Sequence, residues 1–227
     1  SKLLLNSITV GSVSTTSDSL GLDVDNDSTV TSLTVANITP VSIASGKILS
    51  GAITVTAGSL KLSEAGTLAS TISMSGGVLD ADNSSTVSGT LTQAGNITID
   101  VADDKTLTYS GSAISLGANT LTLTGGGNLV SGGLTLDNAS SKLVLNSITV
   151  DSVSTSADSL GLDVDDNSTV TSLTVGHITP VSIASSKTLS GAITVTAGSI
   201  KLAETGTLAS TIAMSGGTLD ADNSSTL

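Results

Sequence analysis

A chain of 227 residues with a formal charge of −12 disfavours phosphate backbones and anionic lipid surfaces as partners. Its mean hydropathy of +0.38 argues against a disordered polymer, yet no apolar run approaches the roughly 18 residues that span a bilayer. Cys, Phe and Trp are missing, Tyr109 is the single aromatic residue and all seven basic residues are Lys, so disulfides and aromatic sugar platforms are excluded.

The chain opens on SKLLLNSITV, without Met, at a point that recurs internally, and no signal peptide pattern precedes it. It reads as an excised or mature fragment. From Leu22 the string LDVDNDSTVTSLTV sets the pattern that the rest of the chain repeats. Apolar residues separated by one polar residue recur at Leu22/Val24, Val41/Ile43, Leu60/Leu62, Leu79/Ala81, Ile99/Val101 and Leu121/Leu123. The steps between these pairs are 19, 19, 19, 20 and 22 residues. Eight residues after the first member of each pair stands another apolar residue, at Val30, Leu49, Leu68, Val87, Leu107 and Leu129. A third set follows at Leu33/Val35, Ile53/Val55, Ile72/Met74, Ile114/Leu116 and Leu134/Leu136. Alternation at period two predicts strands with one buried face, three short ones per coil, separated by Gly, Asn, Asp and Ser turns.

A longer repeat overlies the short one. Residues 141–227 repeat residues 1–87 at an offset of 140 with 16 differences, so 71 of 87 positions are identical. Most exchanges are among small or polar residues, and the outlier is Asn37, which becomes His177. Residues 1–140 therefore form a first long unit of about seven coils, and 141–227 a partial second copy. Strands this short cannot bury a face alone, but stacked coils can, which predicts an all-β β-solenoid of about 20 residues per coil. At a strand spacing near 4.8 Å, about eleven coils would make a rod on the order of 50 Å long. The register blurs over 1–20 and 130–160, where Leu143/Leu145 also reads as a first pair, so an irregular coil or bulge is expected there. A thin interior suits aliphatic side chains, and an aromatic ring would bulge it.

The candidate chemistry lies in the aspartates. Asp23, Asp25 and Asp27 follow D-x-D-x-D spacing, repeated in part as Asp163, Asp165 and Asp166. Asp80/Asp82, Asp220/Asp222 and Asp100/Asp103/Asp104 recur at the equivalent place in other coils. Flexible carboxylates at this spacing are what calcium takes, but the Gly and distant Glu of a complete loop do not follow. Turn shaping and solubility account for the same residues, so no metal and no cofactor is assigned, with calcium as the alternative. The Ser and Thr of the third strands, at Thr34, Thr54, Ser73, Thr92, Ser115 and Thr135, form polar ladders. Ice binding would need two parallel Thr columns, and the neighbours of TLTLT at Thr120 do not supply them. Glycan hydrolysis needs two carboxylates at set separation with one shielded, and these carboxylates read as turn residues. His177 reads as a solvent-facing turn residue. Catalytic residues are not expected, nor is an enzyme. Asn-x-Ser/Thr triplets begin at Asn26, Asn37, Asn83, Asn96, Asn138, Asn167 and Asn223, as chance produces in such a composition.

The L-x-V…S-T-V…S-L-T-V coils, the Ser/Thr/Asn/Asp-rich turns, the missing Cys and the near-identical tandem units resemble the repeat regions of large bacterial surface β-solenoids, filamentous adhesins among them. The resemblance implies a right-handed β-helix exported to the cell exterior as a stalk, fibre or matrix element. No functional residue transfers with it. The expected role is a rigid structural segment at the cell surface, pairing with itself end to end through open coils or laterally. A surface ligand would belong to neighbouring domains, with no nucleic acid and no membrane insertion.

Overall fold

The computed structural model describes residues 2–15, 17–202, 204–221 and 226. Among these every regular element is a β-strand, and every strand pairing with a stated register is parallel. The chain is a β-solenoid of about 11 turns in all, each of roughly 20 residues. It divides into two compact units, Ser1–Ser112 and Ala113–Leu227.

In the first unit two sheets run side by side. Sheet I stacks Lys2–Leu5, Gly21–Val24, Thr39–Ile43, Ser59–Leu62, Val78–Ala81 and Ile97–Val101 in that order. Sheet II stacks Thr9–Ser14, Ser28–Val35, Ile48–Val55, Thr67–Met74, Ser85–Val87 and Thr106–Tyr109, with Leu91–Gln93 also on Thr67–Met74. The three inward segments of each coil are present from Gly21 to Gln93. In the coils through Ser28–Val35, Ile48–Val55 and Thr67–Met74, the second and third join into one eight-residue strand.

One coil shows the packing logic. Leu22 and Val24 point in from sheet I, and Val30, Leu33 and Val35 point in from sheet II, each 3% exposed or less. The next coil sets Val41, Ile43, Ile53 and Val55 directly on Leu22, Val24, Leu33 and Val35, while Leu49 stands over the buried Ser28 and Val30 faces Gly51. Each such aliphatic side chain contributes roughly 1.5–3 kcal/mol by leaving water. The polar residues between them face out because the strand period is two.

The second unit repeats this plan. Sheet I stacks Thr120–Thr124, Lys142–Asn146, Gly161–Val164, Ile178–Ile183, Ser199–Leu202 and Thr218–Ala221. Sheet II stacks Asn128–Val130, Thr149–Thr155, Ser168–Val175, Thr188–Val195 and Thr207–Met214, while Ile114–Ser115 pairs with Leu134–Leu136, which pairs with Thr149–Thr155. Leu143 pairs with both Leu121 and Leu162, so the Leu143/Leu145 pair is a sheet I pair.

One irregularity falls where the sequence places it: Thr149–Thr155 pairs with Asn128–Val130 at an offset of 21 residues but with Leu134–Leu136 at an offset of 19, so two extra residues lie between those two short strands. On the other sides of the two expected regions the register is regular. Thr9–Ser14 pairs with Ser28–Val35, and Thr149–Thr155 with Ser168–Val175, without a register shift. The bulges come one coil later, between Val30 and Ser32 and between Val170 and Ser172, opposite Gly51 and Gly191. A second departure is a slip in sheet I. Val41 pairs with Leu22 on one side but with Leu62 on the other, so Thr39 stands over Leu60 and is fully buried. Thr179 and Ile200 repeat this in the second unit. A two-residue slip keeps every side chain on its own face, which is why the pattern tolerates it.

The lone aromatic ring does enter the core. Tyr109 is 4% exposed, stacks against Val87, and its hydroxyl accepts the Leu91 N–H at 3.1 Å. It lies where the second and third strands are separate, and Gly111 packs so closely that a Cβ there would lie 2.3 Å from the Tyr109 oxygen.

Candidate functional site

The aspartates are distributed among partners from neighbouring coils. Asp23 lies on a sheet I strand facing outward, and Lys2 Nζ reaches its Oδ2 at 2.7 Å. Asp25 is exposed in the following turn. Asp27 Oδ1 accepts the backbone N–H of Ile48 at 2.9 Å. In the second unit Lys142 pairs with Asp163, Asp165 is exposed, and Asp166 receives Lys187 Nζ at 2.8 Å. That hydrogen bond, with the Asn167 N–H at 2.7 Å, holds the Asp166 carboxyl below the usual carboxylate range. Among the described residues no three His, Asp or Glu side chains come together as a metal-holding group. Asp222 and Asn223 lie outside the described residues.

The densest charge cluster gathers Asp80, Asp82 and Asp100, which spacing grouped, around Lys61, which spacing did not single out. Lys61 Nζ sits 3.1 Å from Asp80 and 2.8 Å from Asp82. These bonds, that of Asp82 first, raise the lysine above its ordinary pKa. Asp80 pairs in register with Asp100, and both lie on strands rather than in turns. Burial pushes the Asp100 carboxyl up, the negative charges of Asp80 and Asp82 add to this, and Lys61 opposes it. Asp103 and Asp104 remain in the exposed turn beyond it, Asp104 with a left-handed φ of 59° that Asp tolerates.

The turn asparagines also act between coils. Asn26 Nδ2 donates to Asn6 Oδ1 at 2.7 Å, Asn37 Nδ2 to the Thr15 carbonyl at 3.2 Å and Asn83 Nδ2 to the Ser63 carbonyl at 2.7 Å. His177, where the first copy has Asn37, is 45% exposed with Nδ1 3.7 Å from Asp158 Oδ1. That matches the solvent-facing turn expected of it.

The two sheets present different outer faces. Strands of sheet I carry Lys2, Asp23, Lys61, Asp80 and Asp100 in the first unit and Lys142, Asp163, Lys201 and Asp220 in the second. Strands of sheet II carry no charged residue in the first unit, and Asp151 alone in the second. Their third segments instead align small side chains in two parallel columns. In the first unit one column runs Ser12, Ser32, Ala52 and Thr71, and the other runs Ser14, Thr34, Thr54, Ser73 and Thr92. In the second the columns are Ser152, Ser172, Ala192 and Thr211, beside Ser115, Thr135, Ser154, Thr174, Thr194 and Ala213. Paired columns thus exist on sheet II, although the Thr120–Thr124 strand of sheet I lacks them.

Comparison of the chain with protein-family models, with curated proteins and with solved structures gives no match.

Proposed function

We propose that this chain is a structural repeat segment of an extracellular or cell-surface fibre or adhesin stalk, acting as a rigid rod. The observation that carries the reading is the in-register aliphatic ladder, such as Leu33, Ile53, Ile72 and Leu91, in which each coil completes the core of the next. Such an interior resists bending because every coil shares its backbone hydrogen bonds and its apolar contacts with two neighbours. The near-identity of the two sequence copies supports a role set by length and stiffness rather than by one pocket. The surface location rests on the resemblance in composition and repeat style to large exported solenoids. Growth end to end belongs to the same reading, because stacked coils offer backbone groups along the axis to further coils. The test is negative-stain electron microscopy of the chain in calcium and in chelator. Straight rods or filaments in both conditions support the proposal. Round particles in both, or order that requires calcium, would overturn it.

A further inference from the structure

The partition of charge between the two sheets needs a reason that folding alone does not supply. Outward positions on both sheets are solvent-facing, so both tolerate Lys and Asp equally well. Yet sheet I strands carry nine charged residues among the described strands of the two units, and sheet II strands carry one, Asp151. The third segments of sheet II present rows of Ser, Thr and Ala, with Thr54, Thr71 and Thr92 exposed in the first unit and Thr174, Thr194 and Thr211 in the second.

We propose that this face, without charge in the first unit and with Asp151 alone in the second, is a lateral docking surface, and that its occupant is the same face of a second copy of the chain. The inference rests on the rod reading and adds which side of the rod pairs. Charge selects the occupant. Two chains of net charge −12 repel wherever their carboxylates face each other, and juxtaposed like charges are costly at a close interface. The sheet II face is where two copies meet with the fewest opposing carboxylates, none in the first unit and Asp151 alone in the second. Small side chains let two sheets approach to about 10 Å, and Ser and Thr hydroxyls find partners across the seam. Size sets the strength. Five stacked strands at about 4.8 Å, each contributing about five residues of about 3.3 Å, give roughly 400 Å² per unit face. A pair of such faces buries about 800 Å², at the weak end of specific contacts, so the pairing is reversible and concentration-dependent.

Sedimentation equilibrium of the full chain tests this, with circular dichroism confirming the fold of every variant. The wild type is expected to gain mass with concentration. Thr54→Glu/Thr194→Glu puts a like charge on the face in each unit and is expected to weaken association by about tenfold or more. Thr54→Val/Thr194→Val and the sheet I pair Ser42→Glu/Ser182→Glu are expected to leave it within about twofold. A wild type that stays monomeric at all concentrations, or a Thr54→Glu/Thr194→Glu variant that associates like the wild type, overturns the proposal. Thermal hysteresis of freezing in a monomeric wild type, abolished by the Glu pair, also overturns it in favour of ice as the occupant. Micrographs separate the two readings: straight rods without lateral pairing leave the rod intact and remove this face, whereas round particles remove the rod itself.

Discussion

Gly51 and Gly46 make opposite predictions from the same residue type. Gly51 has φ 129°, and an added Cβ would stand 1.7 Å from the Val30 carbonyl oxygen of the coil beneath, at the bulge. Gly51→Ala therefore meets two obstacles. The backbone conformation is one that L-residues adopt at a cost of about 1–3 kcal/mol. Relieving the overlap also requires the bulge to shift, which loses one or two ladder hydrogen bonds at about 1 kcal/mol each. The sum is about 2–5 kcal/mol. Gly46 has φ 73° with nothing within 4 Å of its would-be Cβ, and its counterpart in the second copy is Ser186 with φ 66°. Gly46→Ser should cost about 1 kcal/mol or less. For a chain of this size the difference corresponds to about 5–10 °C in the thermal midpoint, read by circular dichroism at 218 nm or so. The second copy provides a replicate, because Gly191 has φ 133° and meets the Val170 oxygen at 1.7 Å. If Gly51→Ala melts within a degree or two of Gly46→Ser, the reasoning about the bulge is wrong.

Three further outcomes follow from the core and the charges. Ile72, fully buried between Ile53 and Leu91, should lose about 2–5 kcal/mol on substitution by Ala in urea unfolding, and a loss under about 1 kcal/mol would contradict the ladder. Asp100 has a folded-state pKa raised first by burial and then by Asp80, so the folded chain binds its proton more tightly than the unfolded one. Stability from this group is therefore gained as pH falls through the raised value and is lost as pH rises above it. Asp100→Asn should raise the melting temperature at neutral pH and blunt that gain; an unchanged profile would refute it. Calcium or chelator should leave the wild-type melting temperature unchanged, because Asp23, Asp27, Asp163 and Asp166 are engaged with lysines and a backbone amide, and among the described residues no three acidic or His side chains come together as a metal-holding group. A stabilisation of about 2–3 kcal/mol at saturating calcium would show a site instead.

Much of the architecture was legible because two periods reinforce each other. Alternation assigns faces, and recurrence near 20 residues says the faces stack. What stayed hidden was which residue stands on which. The slip at Val41 and Val181 moves a pairing by two residues, and a two-residue slip leaves the inside–outside pattern unchanged. Buried Thr39 was missed for the same reason, since Thr reads as polar until its hydroxyl is seen donating to the Asn37 carbonyl at 3.2 Å. Sequence spacing identified the aspartates as a group but not their partners. Lys61 meets Asp80 and Asp82 across 19 and 21 residues, a contact that becomes visible only once the coil length is known. The charge-free columns were half visible, as the Ser and Thr of the third strands, but the second column appears only when the bulge opposite Gly51 sets the register.

In-register stacking of successive coils is the claim on which everything else depends, and a chain without native Cys makes it directly testable. Thr34 and Thr54 are register partners on adjacent strands. Adjacent strands lie about 4.8 Å apart, within the Cα separation that a disulfide bridges. Thr56 lies two residues further along, about 8 Å from Thr34, beyond that reach. Oxidation of Thr34→Cys/Thr54→Cys should give an intramolecular disulfide in monomeric chain, read by mass spectrometry after alkylation, while Thr34→Cys/Thr56→Cys should stay reduced. Equal cross-linking of the two pairs, or cross-linking only between molecules, would contradict the stacked solenoid.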